Sequence, residues 1–277
     1  MVKMGDVWDR TVEFLGDNLT LLLPIVLLAL FVPTSIADSL AEVSASGGFG
    51  LKLGFAILSL AFAILSLWVQ LAIVALAIDP AIGRRMTTVA TQRLLPAVGV
   101  FLMVLVGAIL LSLPIVVIAG LSGADFAAMQ DGRGAQANLG GGYALALLLA
   151  GIVIVAVALF LAARLLPLSG VIVAERRGTG AIARAFALSR GIGWRLVGVV
   201  ILYTVVALVA ILAAQTVFGS ILRLVAGGEG PISIAAIITA IVVAGVKTIF
   251  TVLAAAFCGK LYTAIVAGRD AATPISA

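Results

Sequence analysis

The chain has 277 residues, of which 64% are hydrophobic and 10% are charged, and its formal net charge is +5. A soluble domain is typically about 45–50% apolar and about 25% charged. The composition therefore predicts an integral membrane protein. The sequence has no histidine and a single cysteine, Cys258. The commonest general base and metal ligand are absent, and no disulfide can form within the chain.

Six apolar stretches are long enough to cross a bilayer, which takes about 20 residues of helix. They cover residues 19–37, 53–78, 96–119, 143–166, 194–218 and 232–262. The N-terminal segment alternates charged and apolar residues, unlike a cleavable signal peptide, so we expect the first span to remain in the mature protein. The predicted fold class is all-α, a six-helix membrane bundle forming one domain over residues 1–277.

Three short amphipathic stretches, starting near residues 5, 84 and 179, each lead into a spanning helix. In the second stretch Arg93 falls on the polar face, opposite Met86 and Ala90. Such stretches are typical of helices that lie flat at a membrane surface. The layout is compatible with a three-fold repeat of an amphipathic helix plus a transmembrane hairpin, over residues 5–78, 84–166 and 179–262. The alternative is that these are ordinary interfacial helices without common ancestry.

Lysine and arginine set the expected orientation, because cytoplasmic loops are enriched in them. If both termini are cytoplasmic, the inner segments hold twelve of the 17 basic residues, whereas the outer loops hold only Lys52, Arg133 and Arg223. This asymmetry predicts that both termini are cytoplasmic, with an even number of spans. The three amphipathic stretches would then lie at the cytoplasmic interface.

The two remaining basic residues, Arg164 and Lys247, lie within or near the predicted spans, and no acidic residue lies inside any span. Ionisable residues in spans indicate function by default, but the lack of carboxylates argues against a cation pump. Arg164 follows Tyr143 by 21 residues, about 31 Å of helix, which places it at the inner interface. Lys247 follows Ile232 by 15 residues, about 22 Å, and a lysine side chain can snorkel further.

Both cations are therefore expected to face the inner leaflet. Three interpretations stay open: snorkelling alone, a pocket for an anionic lipid or ligand, and a transport pathway. Pro167 is predicted to end the fourth span, and the following "LSGVIVA" is predicted to stay in the inner interface before the basic amphipathic stretch. The candidate anionic-lipid or ligand contacts are Arg164, Arg176, Arg177, Arg184 and Lys247.

The segment "RLLPLSGVIVAERRGTGAIARAFALSRGIGWRLVG", residues 164–198, resembles the YciC-type bacterial inner-membrane proteins. It is also similar to the membrane domain of glycerophosphoryl diester phosphodiesterases. The matching positions are Arg164, Leu165, Pro167, Glu175, Gly178, Ser189, Arg190 and Gly191. "VWDRTVEFLGDNLTLLLP" and "LYTAIVAG" resemble the YciC opening and closing helices.

The resemblance implies a multi-pass protein of the bacterial inner (plasma) membrane. In the phosphodiesterases this domain is a membrane platform for a separate catalytic barrel. The sequence ends at Ala277 without such a barrel, so we expect no phosphodiesterase activity.

The function predicted is a non-enzymatic scaffold or lipid-interacting envelope protein with a basic cytoplasmic-leaflet surface. Its expected partners are membrane lipids, above all anionic phospholipid, and other envelope proteins, with no cofactor, metal or nucleic acid. The alternative is a transporter or flippase for an anionic or lipid-like substrate, favoured by Pro24, Pro33, Pro114 and Pro167, because transporters use broken helices. An enzyme is disfavoured, because no paired carboxylates lie in the predicted spans.

Overall fold

The computed structural model describes residues 3–122, 141–176, 178, 180–226 and 233–270. All regular elements in these ranges are helical. In chain order they are α1 (Met4–Val26), a π-helical turn (Leu27–Phe31), α2 (Val32–Ser46), α3 (Phe49–Ile78), a 3-10 helix (Pro80–Arg85), α4 (Met86–Leu121), α5 (Gly141–Leu165), α6 (Leu168–Ala174), α7 (Ala181–Leu188), α8 (Gly193–Ala226) and α9 (Ile234–Asp270).

Six stretches in these ranges are long and apolar enough to cross a membrane. They are Met4–Leu40, Phe49–Ile78, Pro80–Leu121, Gly142–Ala174, Gly193–Leu222 and Ile234–Arg269. This confirms the predicted all-helical fold with six apolar helices of spanning length. The chain thus has the features of a multi-pass membrane protein.

Contacts between distant segments show which helix ends meet. The Trp8 and Phe257 ring centroids are 6.4 Å apart, which joins the start of α1 to the last third of α9. Arg269 at the end of α9 donates to the Ala187 carbonyl in α7. We call the end of the bundle that holds Met4 and Arg269 the termini side, and the opposite end the far side.

The first span contains a π-helical turn. The π-helical turn Leu27–Phe31 joins α1 to α2, and Pro24 and Pro33 lie on either side of it. Proline has no backbone N–H and so removes one helical hydrogen bond, and a π turn shifts the hydrogen-bonding pattern locally. The helix continues past residue 37, where the span was predicted to end, as far as Ser46.

The three predicted amphipathic stretches take different forms in the structure. The first is the beginning of α1 and runs into the span without a break. The second comprises the 3-10 helix and the first turns of α4. The third is a separate helix, α7, which buries Ala181, Ala185 and Leu188. Their placement at a membrane surface and the three-fold repeat stay predictions.

The buried core lies mainly on the termini side, where α3 packs closely against α9. Residue 69 and residues 71–77 of α3 are all buried. A β-carbon placed on Gly259 would lie 2.7 Å from the Ala77 β-carbon and 3.2 Å from the Val74 carbonyl oxygen. Membrane helices pack through such small residues, because these let the two backbones approach each other.

The short helix α6 lies inside this core and packs against α3, α4 and α9. Residues 170–173 are all buried. A β-carbon on Gly170 would lie 2.5 Å from the Tyr262 β-carbon, so only glycine fits there. The segment "LSGVIVA" is therefore packed among the helices after the turn at Pro167. Its predicted depth, at the inner interface, stays a prediction.

Candidate functional site

Arg164 lies at the end of α5, close to residue 166, where the fourth span was predicted to end. It is the last residue but one of α5, and Pro167 separates α5 from α6. Its guanidinium lies over the Phe160 ring, with 5.0 Å between Cζ and the ring centroid. A β-carbon on Gly193 would lie 3.3 Å from Arg164 Nε, so the absence of a side chain at Gly193 makes room for the arginine.

The Arg164 guanidinium has no anionic partner in the described part of the chain. Its Nε is buried and makes no hydrogen bond there. The first turn of α8 begins at Gly193, so the positive end of that helix dipole lies next to the same guanidinium. The Arg164 guanidinium and the start of α8 are both positive, and no carboxylate among the described residues lies with them. An anion at this place would be favoured by both positive groups and would give the buried Nε–H the acceptor that it lacks.

Glu175, the acidic residue that follows α6, is already engaged. Arg184 Nε donates to Glu175 Oε1 at 2.9 Å and to Oε2 at 3.1 Å. The Tyr262 hydroxyl donates to Oε1 at 3.3 Å. The side chain of Glu175 is 17% exposed and that of Arg184 is 39% exposed. This cluster ties α7 to α9 and neutralises Arg184, which is therefore less available to a ligand than the sequence indicated.

The other predicted arginines of this region differ from Arg164. Arg176 is exposed and has a φ of 54°, so its backbone is in the left-handed region at the turn after Glu175. Arg177 lies outside the described residues. Arg269 donates Nη2 to the carbonyls of Ala187 at 2.6 Å and Leu188 at 3.3 Å, and so caps the end of α7.

Lys247 does not join the termini-side arginines. Its Nζ donates to both Oδ1 and Oδ2 of Asp38 at 2.9 Å. Gly245 packs near Phe31, with 3.6 Å between a β-carbon built on the glycine and the ring, so Asp38 lies a further two turns toward the far side. The prediction that the spans hold no anion was wrong, because the first candidate span, Met4–Leu40, extends past residue 37 and includes Asp38. The leaflet that Lys247 faces stays a prediction.

A cavity of about 230 Å³ lies between the first span and α3. It is lined by Ala29, Leu30, Pro33, Thr34, Ala37, Ser59, Phe62, Ala63 and Ser66. The Thr34 hydroxyl donates a hydrogen bond to the Leu30 carbonyl, and the Ser66 hydroxyl accepts one from the Gln70 amide on the same helix. The cavity is therefore mostly apolar with hydroxyl groups along it, and Asp38 follows directly after its lining residue Ala37.

Two residues of interest were missed or misplaced from the sequence. Asp38 lies one residue past the predicted end of the first span. Apart from Pro33, the sequence has no helix-ending residue near that point, and this could have indicated that the helix continues through Asp38. Arg93 was assigned to a polar face, yet its Nε is buried without a hydrogen bond among the described residues. It shares one face of α4 with the buried Met86, Ala90 and Ala97. The spacing of these apolar residues was a signal in the sequence, but the polar neighbours Thr91 and Gln92 indicated a polar surface instead.

In the described part of the chain, no three residues among His, Cys, Asp and Glu are grouped so that they could hold a metal ion. The fold and the site together define a multi-pass helical membrane protein with an arginine at one end of the bundle whose Nε has no hydrogen-bond partner among the described residues. No family model, curated protein or solved structure matches this chain. The resemblance to YciC-type proteins and to the phosphodiesterase membrane domain therefore stays a prediction.

Proposed function

We propose that this chain is a non-enzymatic integral protein of the bacterial inner membrane that binds anionic phospholipid at its termini side. The observation that supports this most is the position of Arg164. Phe160 and Gly193 hold its guanidinium in place, its Nε is buried, and no hydrogen-bond acceptor for that Nε is found among the described residues. A lipid phosphate supplies the missing acceptor and the missing negative charge.

The distribution of charge supports the cytoplasmic placement of this side. Basic residues crowd the termini side, and this is the pattern that cytoplasmic loops follow. The described ones are Lys3, Arg10, Arg84, Arg85, Arg93, Arg164, Arg176, Arg184, Arg190, Arg195, Lys260 and Arg269. Anionic lipids of the cytoplasmic leaflet attract basic segments by about 1 kcal/mol per charge. A protein of this kind would organise lipid, and other envelope proteins with it, without performing chemistry.

The experiment is native mass spectrometry of protein released from nanodiscs that contain phosphatidylglycerol and phosphatidylcholine in equal parts. The variant is Arg164→Leu, and the matched control is Arg10→Leu, which removes an exposed positive charge on the same side. We expect Arg164→Leu to lower the fraction of protein with bound phosphatidylglycerol about tenfold, since a charge-assisted hydrogen bond contributes about 1.5–3 kcal/mol. The control should change it less than twofold. Equal losses in the two variants would contradict a specific site.

The scaffold part of the proposal is tested by chemical crosslinking in native membranes followed by affinity purification. We expect recovery of other envelope proteins with the wild-type chain. A purified protein that carries neither anionic lipid nor a protein partner, and that moves a solute across proteoliposomes, would refute the scaffold.

A second function, a transporter or flippase for an anionic or lipid-like substrate, has support of its own. The Asp38–Lys247 ion pair lies within two candidate spans, next to a π-helical turn and a cavity. Intramembrane charges and broken helices are features of transport sites. The test is flipping of fluorescent phospholipid in proteoliposomes. This function predicts movement by the wild type that Asp38→Asn abolishes, and an absence of movement by the wild type rejects it.

A further inference from the structure

Arg93, like Arg164, has a buried Nε without a hydrogen-bond partner among the described residues. On α4, the fully buried residues Met86, Ala90, Ala97 and Val100 repeat at helical spacing and form the face that packs inside the bundle. Arg93 is three residues after Ala90 and four before Ala97, so it lies on that same face. Its side chain therefore enters the seam between helices instead of extending freely into solvent.

The charge of Arg93 is not neutralised by the described residues around it. Its Nε is buried without a hydrogen-bond partner, one of three such side-chain atoms in the described part of the chain, and Arg164 Nε is another. Helix α4 packs against α3, α5 and α6. The acidic residues next to these helices are Asp79, whose carboxylate accepts from the Ala81 N–H, and Glu175, which binds Arg184 and Tyr262.

The two arginines lie in the termini-side parts of two neighbouring helices. α4 and α5 are consecutive helices that pack against each other in opposite directions. Arg93 is seven residues inside α4, about 10 Å, whereas Arg164 is one residue from the end of α5. Side chains tilt toward the N-terminus of their own helix, so Arg93 reaches outward to the termini side and Arg164 reaches inward, as its position over Phe160 shows.

We propose that Arg93 and Arg164 together form a two-arginine site for the phosphate of an anionic phospholipid headgroup, in the seam between α4 and α5. This inference rests on the proposed function and names the ligand chemistry and the second residue of that site. A phosphate has several acceptor oxygens, and guanidinium groups match them with paired N–H donors. The phosphate would neutralise two charges that the described protein groups leave uncompensated.

The test uses the full chain in nanodiscs with Arg93→Met, Arg164→Met, the double variant and the control Arg10→Met. Thermal unfolding is measured in phosphatidylcholine alone and again with phosphatidylglycerol added. A ligand that binds only the folded state raises the unfolding temperature. We expect phosphatidylglycerol to stabilise the wild type and the control, and each single variant to need about tenfold more of this lipid for the same shift.

The double variant decides whether the residues share one site. Its loss of affinity should be clearly smaller than the product of the two single losses, because groups that hold one ligand are not additive. In phosphatidylcholine alone, Arg93→Met should unfold no earlier than the wild type, since methionine removes a partly buried charge whose Nε has no hydrogen-bond partner among the described residues. An early unfolding of Arg93→Met in both lipids would assign Arg93 a structural role and overturn the inference.

The remaining outcomes separate this inference from the proposed function. If Arg164→Met reduces the lipid effect and Arg93→Met does not, the two-arginine site is wrong while the proposed function stands. If neither variant differs from Arg10→Met, both are wrong. Inorganic phosphate at millimolar concentration is added as a competitor. It should not displace phosphatidylglycerol, and displacement would identify a soluble phosphate as the occupant instead of the lipid.

Discussion

The termini-side half of the bundle and the far half of α4 and α5 are built from the same apolar residue types but are packed differently. The termini side contains most of the buried residues. They include a run of α3 residues, residues 170 to 173 of α6, and most of the inward residues of α9 between 255 and 265. In contrast, the most apolar 18-residue windows of the third and fourth candidate spans contain no buried residue.

This difference in burial shows which part of the chain determines how the helices pack. Lipid tails are as apolar as leucine, so an exposed leucine on the far side loses nothing by facing them. Specificity instead comes from small residues that allow close backbone approach and from polar groups that need partners. On the termini side these are Gly170, Gly259 and the Glu175 cluster, and the arginines without internal anions lie in the same half.

The largest effect is expected from filling the space at α6. Gly170→Leu places a side chain where a β-carbon alone would lie 2.5 Å from Tyr262, so α6 cannot remain between α3 and α9. We expect a loss of more than about 3 kcal/mol, seen as aggregation in size-exclusion chromatography and early thermal unfolding. The matched control is Gly107→Leu in α4, which has no atom within 4 Å of its β-carbon position. Equal behaviour of both variants would show that α6 is not packed in the core.

A smaller effect is expected from truncating a core leucine. Leu261 is fully buried in α9, whereas Leu110 in α4 is 59% exposed. Leu261→Ala should reduce stability by about 2–4 kcal/mol because it leaves a cavity, and Leu110→Ala should change it by less than about 0.5 kcal/mol. Unfolding in a denaturing detergent titration measures both. A cost at Leu110 as large as that at Leu261 would remove the contrast between the two halves.

The Asp38–Lys247 ion pair tests whether the far side also holds a specific polar contact. Asp38→Asn should reduce stability by about 1–2 kcal/mol, between the values for exposed and buried pairs, since the two side chains are 25% and 38% exposed. The charge swap Asp38→Lys with Lys247→Asp should recover most of that loss. If the swap is as unstable as the single variant, the pair is not the reason for the loss.

The smallest effect is expected at the Glu175 cluster. Glu175→Gln and Arg184→Gln should each cost about 1 kcal/mol, because Arg184 is partly exposed and its attraction to Glu175 is screened. The double variant should cost little more than either single variant, since both remove the same contact. Thermal unfolding in nanodiscs measures the cycle, and fully additive losses would mean that the two residues act independently.

Much of the fold was predictable, because spans of about 20 apolar residues are required by the thickness of a bilayer. The predicted fourth span, residues 143–166, also closely matches the bounds of α5, with Arg164 near its end. The position of α6 was not predictable, since an apolar segment in an interface and one in a core have the same composition. The partner of Lys247 was missed because the first span was predicted to end at residue 37, whereas the helix continues to Ser46 and includes Asp38.

The partial burial of Arg93 was missed in the sequence for a different reason. Its neighbours Thr91 and Gln92 are exposed, so the local pattern indicates a polar surface. Only the burial of Ala90 and Ala97 on the same face shows which way the residue points.

The most direct test of the central claim is an electron cryo-microscopy structure of the wild-type chain in nanodiscs that contain phosphatidylglycerol. The account predicts headgroup density beside the Arg164 guanidinium, in the space bounded by Phe160, Gly193 and the start of α8. The same density should be missing in Arg164→Leu. A well-resolved Arg164 that extends toward water without lipid density beside it would contradict the claim and leave snorkelling as its role.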